Sequence, residues 1–202
     1  MKFLGVGWAK TGTTSLASAL RHLGFRHKTQ ELSFTDALDQ PGQEPIWECA
    51  ARHETFEDWP WLLLYREFDQ RFPGTRFILT TRDPQSWLIS YRRQLERSDQ
   101  GEQTTRWRRR LYGLPFPDVT DEMLLERYNR HNRDVRAYFA DRPDDLLVVN
   151  WAAGDGWEKL CSFVDRPVPD IPFPVANAAP PKSVLRRFAG RARRKLKNIV
   201  SS

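Results

Sequence analysis

The chain has 202 residues, 40% of them hydrophobic, with eight tryptophans and twelve phenylalanines. That is enough for a single domain with a substantial core, and no apolar run approaches the about 18 residues of a membrane-spanning helix. The net charge is +6, but eight of the 32 Lys/Arg and none of the 26 Asp/Glu lie in 182–202, so residues 1–181 hold 24 basic and 26 acidic side chains and carry no recognised nucleic-acid motif.

The first predicted elements are a strand over 2–7, a Gly/Thr-rich loop and a helix over 13–23, from Phe3-Leu-Gly-Val-Gly-Trp-Ala-Lys-Thr-Gly-Thr-Thr-Ser-Leu16. At such a junction glycines free backbone N–H groups to face a concavity, the helix start adds partial positive charge, and hydroxyls with a lysine complete an anion cradle. The P-loop spacing fits from Gly7 to Gly12, yet Thr13 stands where the triphosphate-binding lysine belongs, and the lysine is displaced to Lys10. The interruption of the apolar run by Lys10, with polar loop chemistry after it, does not fit a secretory signal, so a cytoplasmic protein is expected.

Short helices and loops are expected to about residue 55, then a helix over 59–71. Phe77 to Thr81 has the apolar, β-branched character of a buried parallel strand, predicted over 76–81. Pro84 sits where the next helix, 84–97, opens, because its missing N–H costs nothing there. Residues 98–117 lack a sustained apolar period and read as a mobile or substrate-facing connection. A helix over 121–140, a buried strand over 146–150 and a helix over 156–164 complete the pattern. Strands alternating with helices predict an α/β three-layer sandwich around a parallel sheet, with one domain over 1–181 and a tail over 182–202. Cys49 and Cys161 read as buried small hydrophobes in a reducing compartment.

Two motifs together resemble the sulfotransferase family. Trp8-Ala-Lys-Thr-Gly-Thr-Thr14 looks like its 5′-phosphosulfate loop, and Arg82-Asp-Pro84 followed by Ser90 looks like its 3′-phosphate segment, with Arg and Ser eight residues apart as the family requires. The closing stretches Leu146–Trp151, Gly156–Phe163 and Pro167–Asn177 look like the end of a bacterial-type member. The likeness covers most of 1–178, but the Gly-x-x-Gly-x-x-Lys segment of cytosolic animal members has no good match after Asn177. The resemblance implies a P-loop-hydrolase-like fold and, as cosubstrate without a metal, 3′-phosphoadenosine 5′-phosphosulfate. It implies binding by Lys10, Thr11, Gly12, Thr13, Thr14, Ser15, Arg82 and Ser90. It further implies sulfuryl transfer to a hydroxyl or amine of a small-molecule, glycan or lipid acceptor, with Lys10 stabilising the leaving phosphate.

For the acceptor's proton, Asp58-Trp-Pro60 occupies the place of the family's His-Leu-Pro histidine. Burial beside Trp59 and Trp61 would raise Asp58 from its ordinary value of about 3.9; alternatively Asp58 N-caps the following helix. His27, Glu48, His53 and Glu54 are rival bases. Trp47, Trp59, Trp61 and Trp107 line an acceptor pocket or belong to the core. A P-loop kinase and a non-catalytic membrane-associated protein of the same fold are the other readings. The tail places apolar residues at 184, 185, 188, 192, 196 and 199 opposite a basic face, suited to an anionic membrane surface at the inner face of the membrane or to docking on the domain; nucleic acid is not expected.

Overall fold

The computed structural model describes residues 1–99 and 101–175. The basic tail and Asn177 lie outside the described residues. Five parallel strands form one sheet: β1 (Phe3–Gly5), β2 (His27–Lys28), β3 (Thr55–Phe56), β4 (Arg76–Thr80) and β5 (Leu146–Val149), in the order β2-β3-β1-β4-β5. Register is set by pairs such as Leu4 with Phe56 and Phe77, and Ile78 with Leu147. Seven α-helices are described: α1 (Thr13–His22), α2 (Glu44–Arg52), α3 (Tyr65–Arg71), α4 (Pro84–Arg97), α5 (Glu102–Tyr112), α6 (Asp121–Tyr138) and α7 (Trp157–Val164). None of them is long and apolar enough to cross a membrane.

The predicted α/β sandwich follows from the strand periodicity. Successive side chains point to opposite faces, so Leu4, Phe77 and Leu79 pack with Ile46, Phe68 and Val135 of α2, α3 and α6, whereas Phe3 and Ile78 pack with Leu16 and Leu20 of α1 and Leu160 of α7. Each large side chain buried in this way contributes roughly 1.5–3 kcal/mol of transfer free energy. Cys49 and Cys161 are buried within these layers, as expected. A third aromatic cluster, including Trp8, Trp59, Trp87, Tyr91, Tyr112 and Tyr128, fills the end of the sheet at which the strands finish.

Three sequence expectations need correction. The helix over 59–71 is a 3-10 turn at Trp61–Leu63 followed by α3, separated at Leu64. The stretch from the end of α1 through residue 56 holds two parallel strands, β2 and β3, as well as short helices. Residues 98–117 contain the helix α5 rather than an irregular connection. Its charge conceals its order: exposed Arg106 and Arg110 pair with Asp36 and Asp39 of the 3-10 segment Leu32–Asp39, while Leu111 and Tyr112 are buried.

Candidate active site

Strand β1 lies between β3 and β4, and the chain that follows each of these neighbours meets at their carboxyl ends. Lys10 comes after β1, Asp58 after β3 and Arg82 after β4. This is the edge at which open α/β sheets bind ligands. A polar cleft of about 160 Å³ there is lined by Ala9, Lys10, Gly12, Thr13, Thr14, Asp58, Arg82, Ser90 and Gln94.

The β1–α1 loop is fixed from beneath. A Cβ at Gly7 would lie 2.0 Å from the Thr80 hydroxyl, so only glycine admits this approach to β4. The Thr11 hydroxyl donates to Trp8 O at 2.6 Å and pairs with the Thr80 hydroxyl at 2.6 Å. Trp8 is fully buried against Trp59, Trp87 and Tyr112, and Trp87 Nε1 donates to Ala9 O at 2.9 Å. Lys10 at φ 73° and Gly12 at φ 100° turn the chain into α1. The left-handed conformation is costly for lysine and persists only where surroundings impose it, a frequent mark of functional loops. The first-turn N–H groups of α1 have no partners within the helix, and that turn opens on the cleft. Of the loop residues predicted to bind, Lys10, Gly12, Thr13 and Thr14 line the cleft, while Thr11 and Ser15 are buried outside it.

Arg82 and Ser90 meet in the same cleft although eight residues separate them. Asp83 caps α4 by accepting from Ser86 N–H at 2.9 Å, with Pro84 in the first turn. Arg82 Nη1 reaches Lys10 O at 3.4 Å. The Tyr128 hydroxyl donates to Arg82 O and accepts from Arg82 N–H, and its ring stacks on Trp87 at 4.3 Å. Sequence reasoning missed Tyr128, for which no local signal exists. It also missed Gln94, which the four-residue spacing from Ser90 on α4 would have placed on the same face.

Asp58 stands on the wall between this cleft and a second cavity of about 220 Å³, which is also lined by Ala9, Gln94, Trp59, Tyr91, Trp107, Arg108 and Tyr112. Its φ is 67°, and its carboxylate accepts from Trp59 N–H at 2.9 Å. It does not cap the next turn, whose N-cap position is Pro60 and receives no side-chain bond, so the capping alternative fails. Burial first, and the Glu57 charge second, push its carboxyl up to about 7, against the opposing pull of Trp59 N–H and Lys10. Glu57 is itself buried, accepts from the Thr29 hydroxyl and lies 3.6 Å from His27 Nε2.

The rival bases are elsewhere. His27 Nδ1 bonds the Thr55 hydroxyl at 2.8 Å, Glu48 is exposed on α2, His53 Nδ1 donates to Cys49 O, and Glu54 accepts from Arg26 N–H. None of the four lines either cavity. A histidine that the sequence reading did not single out, His131, donates through Nε2 to Val6 O at 2.7 Å; burial lowers it to about 4, so at neutral pH it is an uncharged support for the end of β1. The tryptophans divide: Trp47 and Trp61 belong to the core, whereas Trp59 and Trp107 line the second cavity.

Comparison with known proteins gives the same direction. The family model described as a sulfotransferase domain matches residues 2–180. "Ava biosynthesis cluster protein M" from Aspergillus versicolor is 28% identical over 211 residues, covering 86% of this chain and 80% of the relative. The match spans the β1–α1 loop, Arg82 and every described element of the sheet, and the chain therefore belongs to the sulfotransferase domain family.

Proposed function

We propose that the protein transfers the sulfuryl group of 3′-phosphoadenosine 5′-phosphosulfate to a hydroxyl held in the second cavity. The observation that carries this reading is the position of Asp58. It lies on the wall shared by a cleft containing Lys10, the start of α1, Arg82 and Ser90 and a cavity walled by aromatic rings. The cleft offers cationic and hydroxyl donors on two sides, which suits a ligand bearing two separate anionic groups: Lys10 and α1 for the phosphosulfate, Arg82 and Ser90 for the 3′-phosphate.

In this mechanism the acceptor oxygen attacks sulfur in line as the bond from sulfur to the bridging oxygen breaks, and that electron pair passes to the departing 5′-phosphate. Such loose transfers need chiefly positioning and stabilisation of developing charge. Lys10 and the α1 amides stabilise the phosphate as its charge grows. Asp58 takes the acceptor's proton, and a value near 7 places its basicity where general-base catalysis at neutral pH is efficient.

The test is calorimetry with 3′-phosphoadenosine 5′-phosphate and 5′-AMP in the absence of Mg2+. The bisphosphate is expected to bind far more tightly; equal affinities would remove the role given to Arg82 and Ser90.

A further inference from the structure

The segment that follows α7, residues 165–175, is anchored to the domain at defined points yet turns much of its apolar character outward. Arg166 N–H donates to Cys161 O at 3.0 Å, and Trp157 Nε1 donates to Ile171 O at 2.8 Å. The Phe173 ring packs inward on Trp151 and Trp157, with centroids 4.5 and 5.1 Å apart. Val168, Ile171 and Val175 go the other way and are 52, 45 and 57% exposed. They are half of the exposed large hydrophobic side chains among the described residues, Met1, Ile89 and Met123 being the rest. An exposed apolar residue standing singly is ordinary, whereas three on one short anchored segment concentrate apolar surface as an interaction site does.

The sequence just beyond this segment gives the chemistry of the partner. Residues 182–202 hold eight Lys/Arg and no Asp/Glu, with apolar residues recurring at 184, 185, 188, 192, 196 and 199. Only residues 176–181 separate Val175 from Lys182, at most about 25 Å of extended chain, so the basic run and the exposed aliphatic side chains can meet one surface. Asp165 and Asp170 offset two of the eight charges and Arg166 restores one. Residues 1–181, with 24 basic against 26 acidic side chains, offer the tail a nearly neutral body. Phosphate contacts to nucleic acid are made by polar and charged groups and give aliphatic side chains no role. An anionic bilayer supplies both needs, negative charge at its surface and an apolar boundary beneath it. We propose that residues 168–202 dock the protein on an anionic phospholipid bilayer, with Val168, Ile171 and Val175 entering the headgroup boundary and the Lys/Arg of 182–202 held by the lipid phosphates. The inference does not depend on the reaction that the cleft carries out.

The test is flotation of the full chain with vesicles of phosphatidylcholine and with vesicles of an equimolar mixture of phosphatidylcholine and phosphatidylglycerol. Binding to the mixed vesicles is expected to be about 100-fold or more the stronger at low salt, and to fall as salt is raised. The combined variant Arg193→Gln, Arg194→Gln, Lys195→Gln and Lys197→Gln should lose most of that preference. Val168→Asp with Ile171→Asp, at exposed positions, should weaken binding to the mixed vesicles by about 10–100-fold. In solution without vesicles the same double variant should melt and bind 3′-phosphoadenosine 5′-phosphate like the parent. Equal binding of the parent to the two kinds of vesicle, binding to neither, or vesicle binding unchanged in either variant would overturn the proposal. Capture of duplex DNA by a chain that ignores the vesicles would overturn it as well and assign the tail to nucleic acid.

Discussion

The hydroxyl of Tyr128 clasps the backbone of Arg82 from both sides, donating to its carbonyl at 2.8 Å and accepting from its N–H at 3.0 Å. The guanidinium in the cleft is therefore aimed by a residue that does not line it. Tyr128→Phe keeps the stack on Trp87 and leaves two backbone groups without this partner, for which a stability loss of about 1–3 kcal/mol is expected. Bisphosphate affinity should fall while the affinity for 5′-AMP changes little, as thermal melts and calorimetry would reveal. Undiminished bisphosphate binding would refute the positioning role.

Arg82→Ala and Lys10→Ala should separate by kinetic signature. On the proposed mechanism Arg82 holds a group that does not change charge during transfer, so its loss should raise KM for the donor with little effect on kcat. On the same mechanism Lys10 meets charge that grows in the transition state, so its loss should lower kcat by about 10²–10³. Steady-state kinetics over a range of donor concentrations decides between them.

Asp58→Asn should cost activity and add stability. The folded-state carboxyl titrates near 7, above its unfolded value, so Asp58 destabilises the fold progressively as pH rises from about 4 to 7 and by a constant amount above that. The neutral amide escapes this penalty. The gain in stability should be small at pH 4 and reach a few kcal/mol by pH 8, while turnover falls by about 10²–10⁴. Denaturant melts at the two pH values measure the first effect and rate assays the second.

The pH dependence can be moved from behind the site. The acidic limb of kcat should rise with pH through about 7 as Asp58 loses its proton. Glu57→Gln keeps an acceptor for the Thr29 hydroxyl and removes a charge that holds the Asp58 carboxyl up, so the midpoint of the limb should shift to lower pH. A midpoint that stays in place would show that Glu57 does not govern it.

Gly12→Ala should damage the loop directly. The site has φ 100°, and an added Cβ would lie 2.4 Å from the Trp151 ring. Strain and collision together predict a destabilisation of about 1–3 kcal/mol and weakened nucleotide binding. The paired variant Trp151→Ala removes the collision and should recover part of the loop's binding in the double mutant.

The β1–α1 loop and the Arg82 segment were legible because their chemistry is local: the residue types that cradle an anion must follow a strand within a few positions. Asp58 was singled out by the likeness of Asp58-Trp-Pro60 to the family's His-Leu-Pro segment rather than by a local pattern of its own, and the fold puts it on the wall of the cleft. Strands β2 and β3 were not, because two residues carry no period and their identity comes only from partners across the sheet. Helix α5 was hidden because its arginines are matched by Asp36 and Asp39, about 70 positions away, so the sequence shows the charges without their counterions. His131 and Tyr128 look like ordinary residues of an amphipathic helix; only the tertiary fold brings one to Val6 and the other to Arg82.

The ion pairs Arg106–Asp36 and Arg110–Asp39 fasten α5 to the segment Leu32–Asp39 through exposed side chains, whereas the polar cleft is built on the ends of hydrogen-bonded strands. Exposed pairs of this kind contribute little energy each. What holds α5 in place is instead Tyr112, buried against Trp8 with ring centroids 4.7 Å apart, so a change in this helix that reshapes the second cavity is transmitted through one ring to the loop that carries Lys10, and the two cavities can only drift together.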